Sequence, residues 1–220
     1  RFKGKKINIF EIGLFHGVSI EMWQKYFGED VQYFGVDINP NCKQFEDKNV
    51  KVLIGSQTDE NFLKNLVETL PEMDIIIDDG GHMMNQQILT FKHLYNLVKD
   101  DGIYLCEDVC TSYWSEYGGG YKNKSTFIEF SKQLIDKQNA FYSKTVLLKP
   151  DDFTYSNTSI TFYDGIVAFN KKKRQKPKSL QKGKRFFEPE DDYKPEFLKK
   201  KTSLLDRFYK FYIKLRYFKS

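Results

Sequence analysis

The chain has 220 residues and no apolar run near the roughly 18 that a membrane-spanning helix needs. Residues 1–6 pass straight into a strand-like run, so no signal-peptide pattern opens it. No Met begins it, as expected of a chain from which an upstream piece has been removed. Cysteine is scarce: Cys42, Cys106 and Cys110 are an odd number without metal-type spacing. That argues against a disulfide framework and fits a reducing cytoplasm. No internal repeat is found. A chain of this length buries roughly 70% of its extended surface and needs no covalent staple.

The formal charge of +5 is unevenly spread. Residues 171–220 hold 18 Lys/Arg and 6 Asp/Glu, a balance of +12, which leaves −7 on residues 1–170. An acidic body with a basic tail argues against a uniformly basic nucleic-acid-binding domain. The expected division is a body of residues 1–170 and a tail of residues 171–220. The tail begins as a solvated linker through Arg185. Leu204, Phe208, Phe211, Leu215 and Phe218 then recur at helical spacing among Arg207, Lys210, Lys214, Arg216 and Lys219, a basic amphipathic helix.

In the body, strands are expected at residues 7–11, 31–37, 50–54, 73–78 and 103–107, with helices between them. The first helix is expected to be capped by Ser19 and closed by Gly28, and others cover residues 61–70, 86–98 and 126–136. Asp101-Gly102 reads as a turn. Two further strands, residues 145–148 and 160–170, are closely spaced, with Asp164-Gly165 interrupting the second. Alternating strands and helices with unbroken apolar strands predict an α/β, Rossmann-like, doubly wound sheet. It is expected to be mostly parallel and seven-stranded, with an antiparallel last strand.

Glu11-Ile12-Gly13-Leu14-Phe15-His16-Gly17 joins the first strand to the first helix. Its E-x-G-x-x-x-G spacing lacks the third glycine of the dinucleotide fingerprint and is not a P-loop. Asp37 closes the second strand, where a carboxylate can accept hydrogen bonds from ribose hydroxyls at the ligand-binding edge of such sheets. The pair suits the nucleoside loop of S-adenosylmethionine (SAM) enzymes, against the alternative of a plain tight turn. His16 reads as a wall of that pocket.

Asp78-Asp79-Gly80-Gly81-His82 closes the fourth strand and Glu107-Asp108 the fifth. Neighbouring strand ends lie about 4.8 Å apart. Asp79, Glu107 and Asp108 would therefore meet in one patch, and three unpaired carboxylates there repel one another. A divalent cation resolves the conflict. All-oxygen ligation suits Mg2+, with Mn2+ or Ca2+ as alternatives. His82 leaves the same strand end, where neutral imidazole can take a hydroxyl proton. The competing reading makes these acids helix caps and surface ion pairs.

Together the motifs resemble the macrocin/mycinamicin type of sugar O-methyltransferase. The likeness rests on the glycine loop with residues 19–27, Phe34-Gly35-Val36-Asp37, Gly55-Ser56-Gln57-Thr58-Asp59, Ile77-Asp78-Asp79-Gly80-Gly81-His82 and residues 104–114. It covers roughly residues 7–170. It implies a class I SAM-dependent methyltransferase that uses Mg2+. The resemblance makes Asp79, Glu107 and Asp108 metal ligands and His82 the general base. It places Glu11, Gly13, Gly17, Asp37, Ser56, Gln57 and Asp78 on the cofactor side, and Tyr113 and Trp114 on a loop over the sugar. The family usually has Ser at the position of Gly81. Its segment before the first strand has almost no counterpart here.

The expected acceptor is a nucleotide-activated sugar, a glycan end or a glycoside. The Lys, Asn, Ile, Phe and Tyr usage leans toward surface polysaccharide. The alternatives are a catechol-type O-methyltransferase acting on an aromatic diol and a non-enzymatic scaffold. Nucleic-acid methylation fits poorly, because no Asn/Asp-Pro-Pro-aromatic motif follows the fourth strand. The tail would dock on the body or on a second subunit, or rest on the inner face of a membrane.

Overall fold

The computed structural model describes residues 1–28, 30–180 and 182–184. The amphipathic helix expected over residues 204–218 lies outside them. A compact unit spans Arg1–Pro177. Its strands are β1 (Asn8–Ile12), β2 (Gln32–Asp37), β3 (Val50–Ile54), β4 (Met73–Asp78), β5 (Val98–Cys106), β6 (Asn157–Phe162) and β7 (Val167–Lys171). Its helices are α1 (Val18–Phe27), α2 (Glu60–Thr69), α3 (Met84–Leu94), α4 (Phe127–Gln138) and the short α5 (Asp152–Ser156).

One seven-stranded sheet runs β3-β2-β1-β4-β5-β7-β6. β1 to β5 pair in parallel, and β7 is antiparallel to both β5 and β6. This is the expected doubly wound sheet. Side chains alternate across it with period two. In β4, Ile76 packs with Leu63, Leu66, Phe91 and Leu94 of α2 and α3. Its neighbours Ile75 and Ile77 pack with Ile20 and Phe27 of α1. Both faces are covered, so the central strands read as unbroken apolar runs.

Several local expectations change. Ser19 does not cap α1; its hydroxyl donates to Glu11 Oε2 at 2.7 Å. Gly17 is the cap, at φ +74°, where a side chain would be strained. Helix α3 ends at Leu94, and a 3-10 turn over Tyr95–Leu97 hands the chain to β5. Asp101-Gly102 lies within β5 beside a register shift at Met73/Ile75 and does not end the strand. Residues 145–148 form no strand: Val146 and Leu147 are exposed. The hairpin is made instead by β6 and β7, turning at Asp164-Gly165, where Tyr163 N–H donates to Ile166 O at 2.8 Å.

The start of the basic tail is structural. Lys171 Nζ donates to the carbonyls of Asn96 at 2.9 Å and Val98 at 2.6 Å. Arg174 Nη1 donates to Gln138 O at 3.0 Å and Asn157 O at 2.7 Å. These two cations satisfy carbonyls at the ends of other elements. Among the described residues, no helix is long and apolar enough to cross a membrane.

Candidate active site

The sheet changes direction between β1 and β4, and their carboxyl ends lie side by side, the usual ligand position in this architecture. Ladder-like hydrogen bonds continue past the strands. Gly13 N–H donates to Val36 O at 2.8 Å, Asp79 N–H to Ile12 O at 3.0 Å and Glu107 N–H to Asp78 O at 2.9 Å. Gly13, Asp79 and Glu107 are thereby set in register along one edge. A cleft of about 450 Å³ opens there, lined among others by Gly13, Asp37, Ser56, Gln57, Asp79, His82 and Asp108.

Gly13 sits at φ +93°, and a Cβ there would stand 2.1 Å from the carbonyl oxygen of Asp79. Only glycine lets the loop cross so close to the exit of β4. Asp37 reaches the cleft, but its carboxylate already has work to do. Oδ2 accepts from Leu14 and Phe15 N–H, both at 3.0 Å, and Oδ1 accepts from Asn39 N–H at 2.8 Å. A carboxylate offers about four acceptor positions. Asp37 therefore shapes the loop and keeps about one position for a ribose hydroxyl, fewer than the sequence suggested.

The remaining donor-side residues divide. Ser56 lines the cleft, and its hydroxyl lies 2.8 Å from that of Thr58. Gln57 lines the cleft and also braces its floor. Its Nε2 donates to Asp78 Oδ1 at 2.7 Å and Thr90 Oγ1 at 3.2 Å, while its Oε1 accepts from Gly81 N–H at 2.9 Å. Asp78 is buried below the lining, with Tyr104 OH donating to Oδ2 at 3.1 Å. Burial pushes its pKa up to about 7. Glu11 is also buried, held by Ser19. Its pKa is raised to about 8, chiefly by burial, with the Ser19 hydrogen bond opposing the rise and Asp79 and Glu107 adding to it. Gly17 packs on the Phe45 ring. Glu11, Gly17 and Asp78 thus support the cleft and do not line it. His16 is exposed beside Phe15, their rings 3.9 Å apart, and is not among the lining residues.

On the other side, Asp79, His82 and Asp108 bring one ligand atom each within 4.8 Å of the others. His82 Nε2 is 3.6 Å from Asp108 Oδ2, and its Nδ1 is buried without a hydrogen-bond partner among the described residues. Burial raises the pKa of Asp79; nearby His82 lowers it and Asp108 raises it. Burial likewise raises that of Glu107, with Asp79 and Asp108 adding to the effect. The expected carboxylate crowding is present. Its tightest group joins Asp79 and Asp108 with His82, while Glu107 feels both acids and also acts on Glu11. Tyr113 and Trp114 are exposed on the following loop. Tyr113 lines a separate hollow with Cys110, Lys132 and Tyr163.

Sequence reasoning passed over Phe15, Ile38 and Gln86. Phe15 and Ile38 are exposed apolar side chains on the cleft. An apolar residue directly after a strand-closing acid, just before Asn39-Pro40, was the available signal. Gln86 Oε1 accepts from Met83 N–H at 3.2 Å and lies where a Cβ on Gly81 would be, 2.4 Å away. A Ser at position 81, usual in the family the motifs resemble, would displace that carboxamide.

No protein-family model matches the chain. It is 32% identical over 143 residues to the 8-demethyl-8-alpha-L-rhamnosyl tetracenomycin-C 2'-O-methyltransferase of Streptomyces olivaceus, covering 61% of this chain and 37% of that protein. It is 29% identical over 145 residues to the demethylmacrocin O-methyltransferase of Streptomyces fradiae, covering 61% and 36%. Among solved structures, the mycinamycin-pathway methyltransferase MycE, in complex with Mg, S-adenosylhomocysteine (SAH) and mycinamycin VI, superposes with a TM-score of 0.72 at 25% identity. That match covers 78% of this chain and 46% of MycE. The chain therefore spans little more than a third of the length of the curated relatives it matches. On motifs, identity and fold together, the chain has the class I methyltransferase fold and resembles the macrocin/mycinamicin type of sugar O-methyltransferase.

Proposed function

We propose that the chain is the methyl-transferring part of a SAM- and Mg2+-dependent O-methyltransferase whose acceptor is a sugar hydroxyl of a small-molecule glycoside. The observation that carries this is that one cleft is lined both by Gly13 and Asp37 and by the Asp79, His82 and Asp108 group. The carboxylate oxygens suit a divalent cation, and mutual repulsion among the acids gives them a reason to take one. Asp79, Glu107 and Asp108 would hold the ion, the pKa of the Glu107 carboxyl being raised by burial and by both of the others. Such an ion supplies acidification and orientation of a coordinated hydroxyl.

The chain's own residues do the rest. Leu14 and Phe15 N–H, fixed by Asp37, set the loop on which the nucleoside would lie. Phe15 and Ile38 offer apolar cover for a base. His82 takes the hydroxyl proton at Nε2, the nitrogen facing the acids, while Asp108 steadies the resulting imidazolium. Positioning contributes much of the rate, since the methyl donor is already activated. The lean toward a surface-polysaccharide acceptor finds no support in the relatives, which are named for sugars on tetracenomycin and for demethylmacrocin.

The test is methyl transfer from labelled SAM across a panel of rhamnosides and other glycosides, with Mg2+ and with excess chelator. Transfer that needs Mg2+ supports the reading. Full activity in chelator refutes the metal, and absence of SAH binding by calorimetry refutes the whole.

A further inference from the structure

His82 and Asp108 share an unusual backbone state. Among the described residues, five non-glycine positions have positive φ, and these two are among them, at +54° and +48°. Such conformations persist only where the surroundings over-determine them. Here they aim two side chains from different strand ends at each other, 3.6 Å apart.

One buried hydroxyl joins the two carbonyls. Thr111 is 2% exposed, on the 3-10 turn Val109–Tyr113. Its Oγ1 lies 2.8 Å from Asp108 O and 3.1 Å from His82 O, so a single hydrogen is shared between them. The bond to Asp108 is the local kind that Thr makes in a tight turn. The bond to His82 is not local: it spans 29 positions and ties the loop after β4 to the loop after β5. Asp108 O also accepts Thr111 N–H at 3.0 Å. Losing the hydroxyl therefore leaves Asp108 anchored by Thr111 and frees the loop that carries Asp79 and His82 from it.

We infer that Thr111 is a positioning residue: by tying the loop that carries Asp79 and His82 to the backbone of Asp108, it sets the spacing of the Asp79 and Asp108 carboxylates and so their affinity for a divalent cation. The inference rests on the cation reading given above. Thr111 touches neither ion nor substrate in this role; it acts through the two carbonyls. Outer partners of this sort are worth about 10- to 100-fold in metal affinity.

The experiment is Mn2+ titration of the full chain, followed by electron paramagnetic resonance without donor or acceptor, on wild type, Thr111→Val and Thr111→Ser. Val keeps the shape and lacks the hydroxyl, while Ser keeps the hydroxyl. Mn2+ affinity should fall about 10- to 100-fold in the Val variant and return to the wild-type range in the Ser variant. SAH affinity should be the same in all three. In turnover, kcat should fall in the Val variant while KM for SAM holds. Should Val prevent folding, Thr111→Ala makes the same comparison. A folded variant without the hydroxyl that binds Mn2+ as wild type does overturns the inference and leaves the cation reading intact. A wild type that binds no Mn2+ overturns the cation reading itself.

Discussion

Replacing Glu11 with Gln should remove about one proton's worth of the protein's loss of stability as pH rises from about 5 to about 8. Glu11 is 2% exposed and its pKa is raised from 4.5 to about 8, chiefly by burial. The unfolded chain gives up this proton near 4.5, whereas the folded protein keeps it until about 8. Across that window the unfolded state binds fewer protons, so stability falls as pH rises. The contribution is whole below 4.5 and lost as pH climbs through 8. One unit is worth about 1.36 kcal/mol, so the step from about pH 5 to about pH 8 is roughly 3–4 kcal/mol. Asp78, raised to about 7 by burial, acts in the same direction, so the variant keeps a residual slope. Gln can still accept from Ser19. The assay is urea unfolding at four pH values in chelator, followed by the fluorescence of Trp23 and Trp114. A Glu11→Gln variant with the wild-type pH slope would refute a buried, protonated Glu11.

Gly13→Ala should cost more than the roughly 1–3 kcal/mol of backbone strain alone, because its Cβ would meet Asp79 O at 2.1 Å. Thermal melting should show a lowered Tm, and calorimetry should show lost SAH binding. Gln57→Leu strands the partners of three hydrogen bonds and should destabilise by about 1–3 kcal/mol per buried group left unpaired, read by urea unfolding. His82→Ala should lower methyl transfer about 10²- to 10⁴-fold with SAH affinity unchanged; weakened SAH binding would instead give His82 a donor-side role.

Legibility in the sequence followed burial. β3 and β4 were readable to the residue: β4 is an apolar run covered on both sheet faces, and β3, at the sheet edge, is closed by Gly55. Residues 145–148 carry Thr-Val-Leu-Leu and read as a strand, yet among the described residues no strand pairs with them, and Val146 and Leu147 face water. Ser19 was read as a cap because serine at a helix start usually is one. A buried carboxyl eight positions earlier claimed its hydroxyl instead. The site acids were legible as a group because they end adjacent strands. Their individual duties were not, because Asp78 and Asp79 are consecutive, yet the first is buried at the end of β4 and the second lines the cleft.

Several features were decided by residue order alone. They are the α/β alternation, the glycine loop, the acid closing β2, the acidic strand ends with His82, and the separation of an acidic body from a basic tail. Each follows from local pattern: periodicity, backbone freedom and charge. Tertiary structure alone decided which groups meet. It turned Asp37 into a clamp for its own loop, made Gln57 a brace under the cleft, and sank Glu11 and Asp78 out of reach of water. It placed His82 within the carboxylate group. It also put one threonine hydroxyl between two strained carbonyls. The physical reason is that hydrogen bonds and burial depend on neighbours brought together by strand pairing, and pairing across the β1–β4 reversal joins segments that lie dozens of residues apart.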